Sequence, residues 1–202
     1  MRRTKQDAEI TKSRIMTNGV SLFLEHGFSA TTLDQIAVAA NVTRGAIHHH
    51  FTDKIGLVRA HSEIEIAELF DLLEELFQED VTTLQKVKNV IQGVVTNYYE
   101  NVSFRRFIEL TWFKMEYSQL SFLRESKAEP TIYFIKEFEK LIKIAQDQKV
   151  IRPEVNSSDI AITITNMING LYRLGYISPD IMPSKKEAMR PFNSYLSLLL
   201  NK

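Results

Sequence analysis

A chain of 202 residues with 44% hydrophobic and 25% charged residues has the composition of an ordinary globular protein, which excludes a disordered or fibrous polymer. It has no cysteine, no secretory stretch behind the opening MRRTKQDAEITK and no run near the roughly 18 apolar residues of a membrane span; disulfides and thiolate zinc sites are excluded, and a cytoplasmic protein with no membrane partner is expected. The net charge of zero is unevenly spread: residues 1–60 carry eight Lys/Arg against five Asp/Glu, and the remaining 142 residues carry 17 against 20, so a basic amino-terminal part points to a polyanion at one end only.

The first 129 residues contain no proline, which favours helices. From Ile15, the positions Gly19, Leu22 and Phe23 form one helical stripe that stops at Gly27, a residue suited to the left-handed position after a helix end. Thr32 and Gln35 have capping-box spacing and predict a second helix of about eight residues. Asn41, which tolerates positive φ, interrupts it, and a third helix restarts with Thr43 as its cap. Further helices are expected over about 54–77, 81–102 and 104–125. Pro130 is expected to open another, with Phe134, Ile135, Phe138, Leu141, Ile142 and Ala145 on its apolar side and Glu139 paired with Lys143 outside. Two more cover about 158–175, where Ile162 lies off the apolar stripe, and 184–200. No strand pattern or repeat competes with this all-α reading.

Two short helices joined by a tight turn, with small Ala37 at the approach, describe a helix-turn-helix. Leu33, Ile36, Ala37, Val42 and Ile47 are the positions that lock the second helix onto the third. Thr43, Arg44, Gly45, His48 and His49 are left outside, where the amino end of such a helix reaches base edges in the major groove. Gly45, having no side chain, allows close approach to DNA. Consecutive helical residues project about 100° apart, so His48, His49 and His50 fan over roughly 200° and cannot converge on one metal ion. No nucleophile or glycine-rich loop makes them catalytic bases. The choice is between inconsequential surface residues and nucleic-acid contacts; His48 and His49 face the groove on the second reading, and His50 packs within the module. Lys54, in the first turn of the fourth helix, opposes the helix dipole, and a DNA phosphate would offset it, unless water alone does. Thr32 caps its helix, and free N–H groups at a helix start also bind phosphate.

With those residues identified, GFSATTLDQIAVAANVTRGAIHHHFTDKIGLV resembles the DNA-binding domain of the TetR family of bacterial transcriptional repressors: a Gly-Phe, paired Thr, Ile-Ala, Val-Thr-x-Gly, a terminal His-Phe, then Lys and Leu. Asn41 stands where the family has a turn glycine, and His48 where it commonly has a tyrosine that touches phosphate. A weaker likeness, through RRTKQDA, VTRGAI, RRFIELTWFKMEY and INGLYRL, is to efflux-pump repressors of the AcrR and TtgR kind. The resemblance implies a three-helix DNA-binding domain over 1–53 and a ligand-binding and dimerisation domain over 54–202, with ligand positions near Ile108, Trp112, Thr165 and Ile168. Ile108, Glu109, Trp112, Phe113 and Glu116 share a face if 104–125 is one helix, and could hold a small hydrophobic, aromatic or cationic ligand. Core packing is the competing role for Phe113, and Glu109 is expected to pair with Arg105 or Arg106.

The resulting expectation is a homodimeric repressor on a pseudo-palindromic operator, without cofactor or metal, controlling a multidrug efflux operon and its own gene. Regulation of lipid, antibiotic or signalling metabolism stays open within the same class. A helical small-molecule binding protein or enzyme lacking DNA binding is the reading outside it, with no nucleophile, metal cluster or cofactor loop to support it. The helices near 130–148 and 158–175 are the expected dimer interface.

Overall fold

The computed structural model describes residues 5–115 and 121–201, and within them the chain forms nine α-helices, in keeping with the all-α expectation. Contacts divide it into two units. One holds the chain up to Glu65 and the segment that begins at Arg106; the other holds Ile66–Arg105 and the chain from Lys127 onward. The division at 53/54 expected from the sequence follows the end of the short helices, whereas packing draws the fourth helix, as far as Glu65, into the amino-terminal unit.

That unit contains α1 (Lys5–His26), α2 (Leu33–Ala39), α3 (Arg44–His50) and the start of α4 (Lys54–Gln78). α1 buries Ile15, Gly19 and Phe23, the expected stripe, and ends at Gly27, whose φ of +87° is costly for any residue with a Cβ. α2 ends in a Schellman motif: Asn41 sits at φ 49°, its N–H bonds Val38 O at 3.0 Å, and Val42 N–H bonds Ala37 O at 2.9 Å. The carbonyls left over at the end of α2 are thus satisfied, and the chain is turned into α3 within four residues. Ile15, Phe23, Ile36, Ile47 and Leu57 are wholly buried in one core, with Leu33 and Val42 packed against it. Each such side chain contributes about 1.5–3 kcal/mol, so the lock between α2 and α3 falls where the sequence pattern puts it.

Beyond α6 (Val102–Ile108) the expected 104–125 helix is not formed. The chain passes into a π-helical segment, Glu109–Lys114, and Met115 is extended at φ −113°, ψ 139°. Within this segment the Thr111 hydroxyl donates to Phe107 O at 2.7 Å.

The second unit is built from α5 (Thr83–Glu100), α7 (Ser121–Asp147) from Lys127 onward, α8 (Ser157–Ile177) and α9 (Lys185–Leu199), together with the end of α4. α5 packs on α8 and α9, and its buried face runs through Val87, Ile91, Val94 and Tyr98. Tyr98 and Tyr172 lie with ring centroids 4.7 Å apart, and Phe134 stacks on Phe138 at 5.3 Å. Pro130 does not open a helix; it lies, buried, inside α7. After α7 comes a second left-handed residue other than glycine, Lys149 at φ 58°. The Glu139–Lys143 pair forms as expected, at 2.7 Å. Ile162, off the apolar stripe of α8, is 43% exposed.

Candidate nucleic-acid interface

The interface is assembled from two helix starts. Thr32 caps α2: its hydroxyl accepts from Gln35 N–H at 3.2 Å, and the Gln35 side-chain oxygen accepts from Thr32 N–H at 2.7 Å, the complete capping box. Thr43 caps α3 by accepting from Ala46 N–H at 3.2 Å. In both cases a hydroxyl and the first-turn N–H groups of a helix are at the surface, the arrangement that receives an anion.

α3 itself is two-sided. Ile47 is wholly buried, while Arg44, Gly45, His48 and His49 are exposed and form two i, i+4 pairs on the outer face. A Cβ on Gly45 would meet only Thr43 Oγ1, at 3.8 Å, so nothing within the chain requires a glycine there. Arg44 is held across the turn by Asp34, 3.1 Å away, with both side chains more than half exposed. An ion pair so exposed is worth at most about 1 kcal/mol, and it restrains Arg44 lightly. The three imidazoles diverge: His48 Nδ1 lies 3.2 Å from Thr52 O, while His49 and His50 meet edge to face at 5.1 Å. His50 is half-buried and also approaches Phe51, as expected of the inward member.

Lys54 has partners within the chain. Its ammonium donates to Phe28 O and Thr31 O, both at 2.7 Å, reaches Ser29 O at 3.4 Å, and stands 4.6 Å above the Phe28 ring. The cation in the first turn of α4 is therefore offset by carbonyls of the α1–α2 corner rather than needing a phosphate. Burial pushes its pKa below the ordinary lysine range, while charge-assisted bonds at 2.7 Å favour the protonated form. The helix dipole is further relieved by Asp53, which caps α4 by accepting from Gly56 N–H at 2.7 Å. Asp53 and Asp34 are the partners at these helix starts that the sequence expectations leave out. A carboxylate directly before the first helical residue is the local signal that marks Asp53; Asp34 has no local signal, because its partner is ten residues away.

The expected ligand positions fall in both units. Ile108 is buried in the amino-terminal unit, and Glu109, Trp112 and Phe113 are half-buried there on the π-helical segment, whose wider register breaks the single helical face expected of them. Arg105 does not pair with Glu109; it donates to Tyr98 O and Tyr99 O at 3.0 and 2.8 Å, closing the end of α5. Arg106 reaches Ser21 Oγ at 3.3 Å. Glu116 lies outside the described residues. Thr165 and Ile168 are buried on α8 in the other unit, and the Thr165 hydroxyl donates to Ala161 O at 2.8 Å.

Residues 15–61 match the family model of the bacterial regulatory proteins of the tetR family. The chain is 28% identical to the HTH-type transcriptional regulator AcrR of Shigella flexneri, aligned over 98% of this chain and 92% of that protein. It is 26% identical to the HTH-type transcriptional regulator TtgR of Pseudomonas putida, over 89% and 87%. Its fold is shared with the crystal structure of NalD, the secondary repressor of the MexAB-OprM multidrug efflux pump in Pseudomonas aeruginosa, at a TM-score of 0.79 and 24% identity, over 97% of this chain and 98% of that one. The helix-turn-helix that presents α3 is thus a DNA-binding domain of the TetR family of bacterial regulators.

Proposed function

We propose that the protein is a ligand-responsive transcriptional repressor of a multidrug efflux operon and of its own gene, and performs no chemistry. The observation that carries this is the outer face of α3, with Arg44, Gly45, His48 and His49 exposed beside the capped starts of α2 and α3. In this reading Thr32 and Thr43 position phosphates, and Arg44, His48 and His49 read base edges, with Gly45 permitting close approach. Lys54 acts one step back, by holding the corner that carries Thr32.

Two copies of the domain suit a pseudo-palindromic operator read in successive major grooves. Ile132 and Ile144 on α7 and Ile162 on α8 are each more than 40% exposed, which supports these helices as the homodimer interface. A small hydrophobic, aromatic or cationic ligand binding better to the form that no longer fits the operator shifts the population toward release. The efflux role rests on likeness to AcrR, TtgR and NalD. Among the described residues no helix is long and apolar enough to cross a membrane, and we place the protein in the cytoplasm.

Fluorescence anisotropy with labelled DNA from upstream of its own gene tests the reading. The expected result is sequence-dependent binding that weakens steeply with salt and is reversed by lipophilic efflux substrates. Binding no tighter than to random duplex would sink the repressor assignment, and indifference to all such compounds would sink the efflux role.

A further inference from the structure

α3 ends at Phe51, which is extended at φ −140°, ψ 131°, so the next carbonyl, that of Thr52, stands outside the helical ladder. It lies 3.2 Å from His48 Nδ1, and this contact decides more than the position of the ring. A carbonyl oxygen can only accept, so Nδ1 carries the hydrogen. A neutral imidazole has one N–H and one lone pair, and with the first on Nδ1 the second falls on Nε2. His48 thus presents an acceptor from an exposed position on the outer face of α3.

Its neighbour on that face is of the opposite kind. Arg44, one turn earlier, has only N–H groups to offer, and Asp34 at 3.1 Å takes up part of them. The major groove supplies acceptors for such donors at guanine N7 and O6, whereas a lone pair can meet only an exocyclic amine there, N4 of cytosine or N6 of adenine. Phosphate oxygens are themselves acceptors, and a lone pair turned to one is repelled. The bond to Thr52 O also confines the ring to one orientation and one tautomer before DNA arrives, which lowers the ordering cost of a contact. His49 differs: it meets His50 edge to face at 5.1 Å, a contact that selects neither tautomer.

We propose that His48 reads an exocyclic amine, on cytosine or adenine, by accepting its hydrogen bond at Nε2 in each half-site of the operator. This rests on the repressor reading and gives one of its contacts a direction: the DNA donates and the protein accepts. The full chain is equilibrated with a randomised duplex library, and the bound fraction is sequenced for the wild-type protein, His48→Ala and His48→Lys. The base pair whose preference vanishes in His48→Ala is the one His48 meets. Affinity for the selected duplex is then measured by anisotropy with the amine at that pair removed, as the purine lacking its 6-amino group or the pyrimidinone lacking its 4-amino group. Removal is expected to cost the wild-type protein about fivefold, the worth of one neutral hydrogen bond. It should cost His48→Ala and His48→Lys nothing, since neither side chain can accept.

No base pair altered in His48→Ala, wild-type tolerance of amine removal, or an amine dependence that persists in either variant would each overturn the proposal. So would a cost on replacing purine N7 by carbon that disappears in His48→Ala, because the ring would then be donating. A loss of affinity in His48→Ala that is equal for every duplex would also overturn it, as the mark of a phosphate contact. Should one variant not fold, the other decides the matter. A wild-type protein that selects no sequence at all defeats the repressor reading and this proposal with it. One that selects a sequence in which His48 plays no such part defeats only this proposal.

Discussion

Lys54→Met tests the distinction between a residue that touches DNA and one that builds the surface that does. Methionine keeps the stem and the contact with the Phe28 ring but removes the donors to Phe28 O and Thr31 O at 2.7 Å. Hydrogen bonds from a charged group contribute about 1.5–3 kcal/mol each when shielded. Lys54 is only half-buried, water competes, and the combined loss is about 2 kcal/mol. For a chain of 202 residues that lowers the melting temperature by about 4–8 °C, measurable by circular dichroism. Anisotropy titrations at low temperature, where the variant is folded, should show an unchanged slope of log affinity against log salt, because no phosphate contact has gone. The opposite pattern, an unmoved melting temperature with a slope reduced by about one, would return Lys54 to the DNA and refute the argument from the carbonyls.

His49→Ala should relax discrimination between operator variants by about 1–3 kcal/mol at one base position while leaving affinity for random duplex nearly unchanged, as competition anisotropy would show. Lys149→Gly should raise stability by about 1 kcal/mol in urea melts, since Lys149 is held at φ 58°, where a Cβ is unfavourable. His61, buried on α4, makes stability fall in acid. Burial holds its folded pKa at about 4, below the ordinary 6.5, so the unfolded chain takes the proton first. Stability is full above pH 6.5, declines as pH falls toward 4 and then levels, by at most about 3 kcal/mol because Glu65 at 3.6 Å draws the proton back; His61→Leu should flatten that part of the profile. Trp112→Ala should alter ligand-induced release while leaving operator affinity of the ligand-free protein intact. Loss of folding in that variant would make Trp112 a core residue.

What could be read from the sequence was local. The caps at Thr32 and Thr43 each depend on a partner three residues away, and both form as their spacing indicates. The buried and exposed faces of α3 follow from helical period alone. The carbonyl partners of Lys54 are invisible in the sequence because they lie 23 to 26 residues earlier, on groups that every residue type carries and no pattern marks. The break at Glu109–Lys114 is hidden because apolar spacing continues through it. His61 and Glu65 escaped for the complementary reason: a search for buried apolar positions passes over polar ones. Pro130 lies inside α7 because a proline lacks only a donor and a free φ, and neither forbids a helix that is already under way.

The Lys54 contacts also make α4 a lever with a defined fulcrum. α4 has 25 residues, a rod of roughly 37 Å at 1.5 Å per residue, and it begins in one unit and ends in the other. Its first turn is tied to the corner that precedes Thr32, so α4 cannot swing without pulling on that corner. Any rotation of α4 about that first turn is passed to the carbonyls of Phe28 and Thr31, and through them to the capped start of α2 at Thr32.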